Sequence, residues 1–191
     1  MIRLIIIFSI TLAFSSASAQ LIESFSGLDV EREKEFSLSE HKNNKAIVVI
    51  FFSNKCAYSD YYIARVKSLV NDFNTQKVKF VLINSNNDEF VKEESAQGMK
   101  DYAANNLPGI TYVADKDKKI KSLLNATRTP EAFVLKPILD RYEIVYQGAI
   151  DDSPQSERDV SHEYLKEAIV SLLSVNKIEL NKTRPVGCLI K

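Results

Sequence analysis

The residue best placed to do chemistry is Cys56. It stands in Ser53-Asn54-Lys55-Cys56-Ala57-Tyr58-Ser59, after an unbroken apolar run and before a stretch of helical periodicity. At a helix N-terminus, free N–H groups and the positive end of the dipole stabilise an anion, which favours the thiolate over the thiol. The thiolate is the form that attacks disulfides and peroxides. Lys55 sets a positive charge beside it. Ser59, three residues on, offers a hydrogen bond but no second sulfur, so the C-x-x-C dithiol pattern is absent. The competing reading is an inert, buried cysteine.

The other thiol is Cys188, near the C-terminus. Three readings stay open. It resolves an oxidised Cys56; it forms a static disulfide with it, worth roughly 4–5 kcal/mol for so long a loop; or the two never meet. A second informative spot is Thr129-Pro130, just before the apolar stretch 131–135. Proline before a strand is a turn device and is sometimes cis. Arg128 beside it is positioned to lend charge to a nearby thiolate. His41 and His162 show no metal-ligand spacing and read as surface residues. Asp151-Asp152 reads as a loop or helix cap. Asn125 and Asn181 begin glycosylation sequons.

These residues need elements to hold them. Residues 46–52 (AIVVIFF) read as a strand buried on both faces. Tyr62, Val66, Leu69, Val70 and Phe73 then recur at helical spacing. Residues 78–83 read as a second parallel strand, 90–105 as a helix, 110–113 as an apolar patch and 120–124 as a short helix. The charge run 115–119 reads as solvated surface. Residues 131–135 and 144–148 read as strands of a hairpin. Val160, Tyr164, Leu165, Ala168, Ile169, Leu172 and Leu173 form a last helical stripe. Residues 20–45 read as a polar lead-in with one short strand, and 181–191 as an exposed tail. The pattern predicts an α/β fold, three layers α/β/α about a mixed sheet, with crossover helices on both faces.

The 191 residues suit one domain. Lys+Arg and Asp+Glu both number 25, a balance that argues against nucleic-acid binding. Two cysteines are too few for a cysteine-rich zinc site. Residues 1–19 place Arg3 before a short apolar run and end in Ala17-Ser18-Ala19. This is the pattern of a secretory signal cleaved after Ala19. A domain over 20–180 and a tail over 181–191 are expected to follow. The mature protein is expected to be secreted or periplasmic and free of the membrane, where disulfides persist.

Strand, cysteine, helix, strand, Thr-Pro, hairpin and closing helix together resemble the thioredoxin fold. More narrowly, VVIFFSNKCAYSDYYIARV, ATRTPEAFVL, IVYQGAIDDSP and RPVGCLIK are similar to the peroxiredoxin-like (redoxin) branch of the alkyl hydroperoxide reductase and thiol-specific antioxidant superfamily. The resemblance implies a nucleophilic Cys56 facing a cis-Pro130 loop that shapes the substrate surface with Thr129 and Tyr58. A G-C-x-I tail like Gly187-Cys188-Leu189-Ile190 raises Cys188 as a functional or paired thiol. Ser53 holds the hydroxyl position of the peroxiredoxin pattern P-x-x-x-[ST]-x-x-C, while Val49 stands in place of its proline.

The expected function is an exported thiol-dependent oxidoreductase, with Cys56 as nucleophile and Ser53, Ser59 and Arg128 stabilising its thiolate. Its partner is a thiol/disulfide redox protein or a small peroxide. No metal, flavin or nucleotide is implied. The rival is a non-catalytic binding module with a static Cys56–Cys188 bond. If the placement of Cys56 is right, its thiol in the reduced protein titrates below the free value of about 8.5. Alkylation rate against pH, with Cys56→Ser as control, measures this; a value at or above the free one removes the support for catalysis.

Overall fold

The structure, a computed structural model, describes residues 20–86, 88 and 91–191. The leader assigned to residues 1–19 lies outside them. So does residue 90, the first of the helix expected over 90–105; residues 91–95 form turns, and the helix begins at Ala96.

One eight-stranded mixed sheet organises the chain, in the order β1-β9-β8-β4-β5-β6-β2-β3. At its centre lies β4 (Ala46–Phe51), all of whose residues are buried. Strands β5 (Val78–Asn84) and β6 (Thr111–Ala114) run parallel to it on one side. On the other side β8 (Glu131–Ile138) and β9 (Arg141–Gly148) form the antiparallel hairpin. The edges are β1 (Gln20–Ile22) beside β9, and the hairpin of β2 (Ser26–Asp29) and β3 (Lys34–Ser37) beside β6. A separate two-stranded ladder pairs β7 (Arg128–Thr129) with β10 (Cys188–Leu189).

Alternation along β4 feeds two cores. Val48, Ile50 and the following Phe52 pack with α1 (Ala57–Phe73), α2 (Ala96–Asn106) and α4 (Tyr164–Leu173), through Tyr62, Val66, Met99, Ala103, Leu165 and Ile169. Ile47, Val49 and Phe51 pack with α3 (Lys119–Leu124), through Ile120 and Leu124, and with Phe25, Phe36 and Leu38. The fold is thus the expected α/β class with a mixed sheet and helices on both faces, divided unevenly between them. Helices α1 and α2 join the same core because β4, β5 and β6 succeed one another in one direction. Two right-handed crossovers then fall on one side. The opposite face is covered by α3 and the N-terminal segment.

Several local expectations are corrected. The lead-in holds three strands and a 3₁₀ turn at Leu38–His41, not one strand. Residues 111–114 are a sheet strand rather than a packing patch, because their parallel neighbour β5 completes their ladder. Within the charge run, Asp115 is buried; it accepts hydrogen bonds from the Ile120 and Lys121 N–H groups and the Ser85 hydroxyl, so it anchors α3. His41 stacks on Phe36 at 5.2 Å and is half-buried; desolvation, with Lys79 nearby, lowers its pKa.

Asp151 lies in the expected loop, after β9, but it is not a solvated carboxylate. It is buried, accepts the Tyr62 hydroxyl at 2.7 Å and pairs with the Arg65 guanidinium. Arg65 also donates to the Ser153 and Pro154 carbonyls and lies over the Tyr62 ring. Burial first, then Asp151, drives the Tyr62 pKa far up, so the phenol stays a donor. This cluster fixes α1, and with it the position of Cys56, against the loop after β9. Removing one member strands the others in low dielectric. Asp151→Ala is therefore expected to destabilise the fold by about 3 kcal/mol, and exposed Asp152→Ala far less; urea denaturation of both variants checks the contrast.

Candidate active site

β4 delivers the chain to the loop 53–56, and α1 leaves from it. Cys56 is the N-cap of α1, in extended conformation, and its side chain makes no cap hydrogen bond. Its N–H donates to the Ser53 carbonyl at 3.2 Å. The loop is held from below by a buried carboxylate, Glu94. Glu94 Oε1 accepts the Ser53 hydroxyl at 2.5 Å and the Lys55 N–H at 3.0 Å, while Oε2 accepts Asn84 at the end of β5. The Ser59 hydroxyl accepts the Ser53 N–H at 3.3 Å. Lys55 faces solvent and pairs with Glu93 at 3.7 Å.

The opposite wall is the turn into β8. The Thr129–Pro130 peptide is cis. Cys56 Sγ lies 3.1 Å from the Thr129 carbonyl oxygen. Beneath this turn sits a second buried carboxylate, Glu131. It accepts the Thr127 N–H at 2.7 Å, the Thr127 hydroxyl at 3.1 Å, the Arg128 N–H at 3.1 Å and Gln147 Nε2 at 3.0 Å. Four donors on one carboxylate hold residues 127–129 in place. The Thr129 hydroxyl is buried with no hydrogen-bond partner.

The third wall is the tail. Cys188 is bonded to Cys56, with the Cα atoms 6.0 Å apart. Of the three readings of Cys188, the one in which the thiols never meet is excluded. Strand β10 pairs antiparallel with β7, placing Cys188 opposite Thr129 and Leu189 opposite Arg128. The tail is therefore docked, not exposed throughout. Ile190 is 7% exposed and enters the core on the α3 face. Its N–H donates to the Thr127 carbonyl. The Lys191 N–H donates to Asn86 Oδ1. Upstream, the Thr183 hydroxyl accepts the Ala149 N–H and lies 2.7 Å from the Tyr146 hydroxyl. Gly187 touches the cis turn itself: a Cβ there would stand 2.1 Å from the Thr129 carbonyl oxygen and 3.0 Å from the Pro130 nitrogen. Only glycine permits that approach.

The structure thus gathers Cys56, Cys188, Thr129, Pro130 and Ser59 in one place. Arg128 reaches the site through the tail, donating to the Gly187 carbonyl at 2.8 Å. The Ser53 hydroxyl is spent on Glu94. Tyr58, edge-on to Tyr61, lies in the first turn of α1. Sequence reasoning missed Glu94, Glu131 and the anchor Ile190. An acid at the head of the buried strand 131–135 was the available signal for Glu131, because such a charge must find donors. Among the described residues, no group of three or more His, Cys, Asp or Glu side chains is arranged to hold a metal.

This arrangement defines a thioredoxin-like fold with a redox-type cysteine site. The sequence profile of the Redoxin family matches residues 17–161, and the chain belongs to that family. Among solved structures, it is similar to a hypothetical protein from Sinorhizobium meliloti 1021, with 26% identity, TM-score 0.80 and 96% of each chain covered. It is also similar to an uncharacterized conserved protein from Geobacillus kaustophilus, with 27% identity, TM-score 0.82, and 91% of this chain and 90% of that one covered. A thiol:disulfide interchange protein of the thioredoxin family from Chlorobium tepidum shares the fold at 20% identity and TM-score 0.61, over 83% of this chain and 99% of its own. No curated protein sequence matches.

Because Gly187 leaves no room for a side chain, Gly187→Ala should push the tail off the cis turn. The equilibrium between disulfide and dithiol is expected to shift toward the dithiol by roughly tenfold, from about 1–2 kcal/mol of overpacking. Quantifying the bonded fraction over a glutathione redox series measures the shift, with exposed Val186→Ala as control.

Proposed function

We propose that the chain is an exported thiol–disulfide oxidoreductase in which Cys56 and Cys188 form the redox pair. The observation that carries this reading is the bond between a helix N-cap cysteine and a tail cysteine, directly beside cis-Pro130. In the dithiol form, the helix terminus favours the Cys56 thiolate, which attacks a disulfide of a partner. In the bonded form, a partner dithiol passes two electrons and two protons to the pair and leaves as a disulfide. Thr129, Pro130 and Tyr58 line the approach to the sulfurs. Ser59 and Arg128 position the loop and the tail, and Ser53 holds the loop through Glu94. No cofactor enters either half-reaction.

Export rests on the leader pattern of residues 1–19 and on the bonded state of the pair, which oxidising compartments sustain. Among the described residues, no helix is long and apolar enough to cross a membrane. The partner is a thiol or disulfide protein. A peroxide substrate finds less support: the serine in the hydroxyl position of the peroxiredoxin pattern donates to Glu94 rather than to the sulfur. The domain division expected at residue 180 becomes, on this reading, a division of labour, with the tail contributing one of the two reacting sulfurs.

The test is a redox titration of the folded protein with turnover assays on a dithiol peptide and on hydrogen peroxide. Expected is one reversible two-thiol transition, dithiol turnover, and a loss on the order of 100-fold or more in both Cys56→Ser and Cys188→Ser. A bond that stays closed to dithiothreitol until the protein unfolds would establish the static binding module instead. Faster turnover of peroxide than of dithiol would move the substrate to peroxides.

A further inference from the structure

We propose that the oxidised protein is opened at Cys188: an incoming thiolate bonds to Cys188 Sγ, and Cys56 is the leaving thiolate. This rests on the thiol–disulfide reading above and adds which sulfur carries the partner. The obvious assignment is the reverse, because Cys56 has the activating position. The structure separates the two roles.

Access decides first. Cys56 is 1% exposed, closed in by the Thr129 carbonyl, the loop 53–55 and the first turn of α1. Cys188 is half-buried, on a two-residue strand at the molecular surface, with Leu189 next to it 63% exposed. Thiolate exchange requires the attacking, central and leaving sulfurs to lie close to a line. Attack on Cys56 Sγ must therefore come from the side away from Cys188, at a residue that is only 1% exposed. Attack on Cys188 Sγ comes from the side away from Cys56, at a residue that is partly exposed.

Leaving-group quality points the same way. The thiol with the lower pKa departs faster. Cys56 leaves as an anion at the N-terminus of a 17-residue helix, where the free N–H groups and the dipole receive it. Cys188 sits in a two-residue strand with no such terminus. The features that activate Cys56 as a nucleophile in the dithiol form thus make it the better leaving group in the bonded form.

The step balances. A partner thiolate forms one S–S bond to Cys188, and the Cys188–Cys56 bond breaks with its electron pair on Cys56. A second thiolate of the same partner then attacks the partner's own sulfur in the mixed disulfide. Cys188 departs, and both cysteines take up the protons the partner has lost. The partner ends as a disulfide and this protein as the dithiol. During the mixed-disulfide stage the partner hangs on the tail. Thr183 and Ile190 anchor that tail on either side of Cys188, so the adduct stays at the mouth of the site.

The experiment uses the oxidised mature protein and glutathione as the attacking thiol. The reaction is quenched with acid within the first tenth of opening, free thiols are alkylated, and the glutathione adduct is located by peptide mass spectrometry. Expected is an adduct on Cys188 in about tenfold or greater excess over Cys56. A predominant adduct on Cys56 overturns the inference while leaving the proposed oxidoreductase standing. A folded protein that neither glutathione nor dithiothreitol opens overturns both. Leu189→Lys and Leu189→Glu give a second readout, since each places a charge on the residue next to the attacked cysteine, within screening range of an approaching anion. With the anionic attacker, opening should be roughly two- to fivefold faster in the first and slower in the second. Equal rates in the two variants argue against attack at Cys188.

Discussion

The site depends on a buried carboxylate beneath the cis turn. Glu131, buried at the head of β8, takes four hydrogen bonds from Thr127, Arg128 and Gln147. Those bonds hold the Thr127–Thr129 backbone as a straight edge. Everything else at the site is measured from that edge. Cys56 packs beneath the Thr129 carbonyl, β10 pairs with β7, and Gly187 presses against the cis turn. A buried charge is costly unless its lone pairs are filled, so the same requirement that makes Glu131 expensive makes its surroundings rigid. Glu94 does the equivalent work for the loop that carries Cys56, tying Ser53 and Lys55 to Asn84. The two bonded sulfurs are thus held between two satisfied carboxylates, one on each wall.

Much of the frame is legible in the sequence because it rests on local pattern. The run 46–52 is apolar at every position, and only a strand covered on both faces explains that. Helix α1 follows from the recurrence of Tyr62, Val66, Leu69 and Phe73, and the β8–β9 hairpin from two β-rich runs about a polar turn. With these in place, Cys56 falls at a strand-to-helix junction without further assumption.

What stays hidden is non-local. The edge strands β1, β2 and β3 are short and half-exposed, so their sequences look like a polar lead-in. The tail reads as exposed because Arg184, Pro185, Val186 and Gly187 carry no periodicity. Its order comes from partners on β7 and β9, far away in the chain. Buried acids are the hardest to see. Asp151, Glu94, Glu131 and Asp115 resemble surface charges in composition, and only the placement of their donors shows what they hold. How the helices divide between the two faces is hidden for a related reason: it depends on strand order, which no single segment encodes.

The covalent ring closed by the two cysteines spans 132 residues. Measured against an unfolded chain, such a ring is worth roughly 5 kcal/mol of configurational restriction. Measured within the folded molecule, the same ring is short. Thr183 and Ile190 are pinned by contacts that do not involve sulfur, so breaking the bond frees only the few residues between them. On the proposed redox reading, reduction loosens the folded chain only locally, while the dithiol form loses the ring's restriction of its unfolded chain. The two thiols remain neighbours at high effective concentration, so that closing the ring again asks little of the backbone.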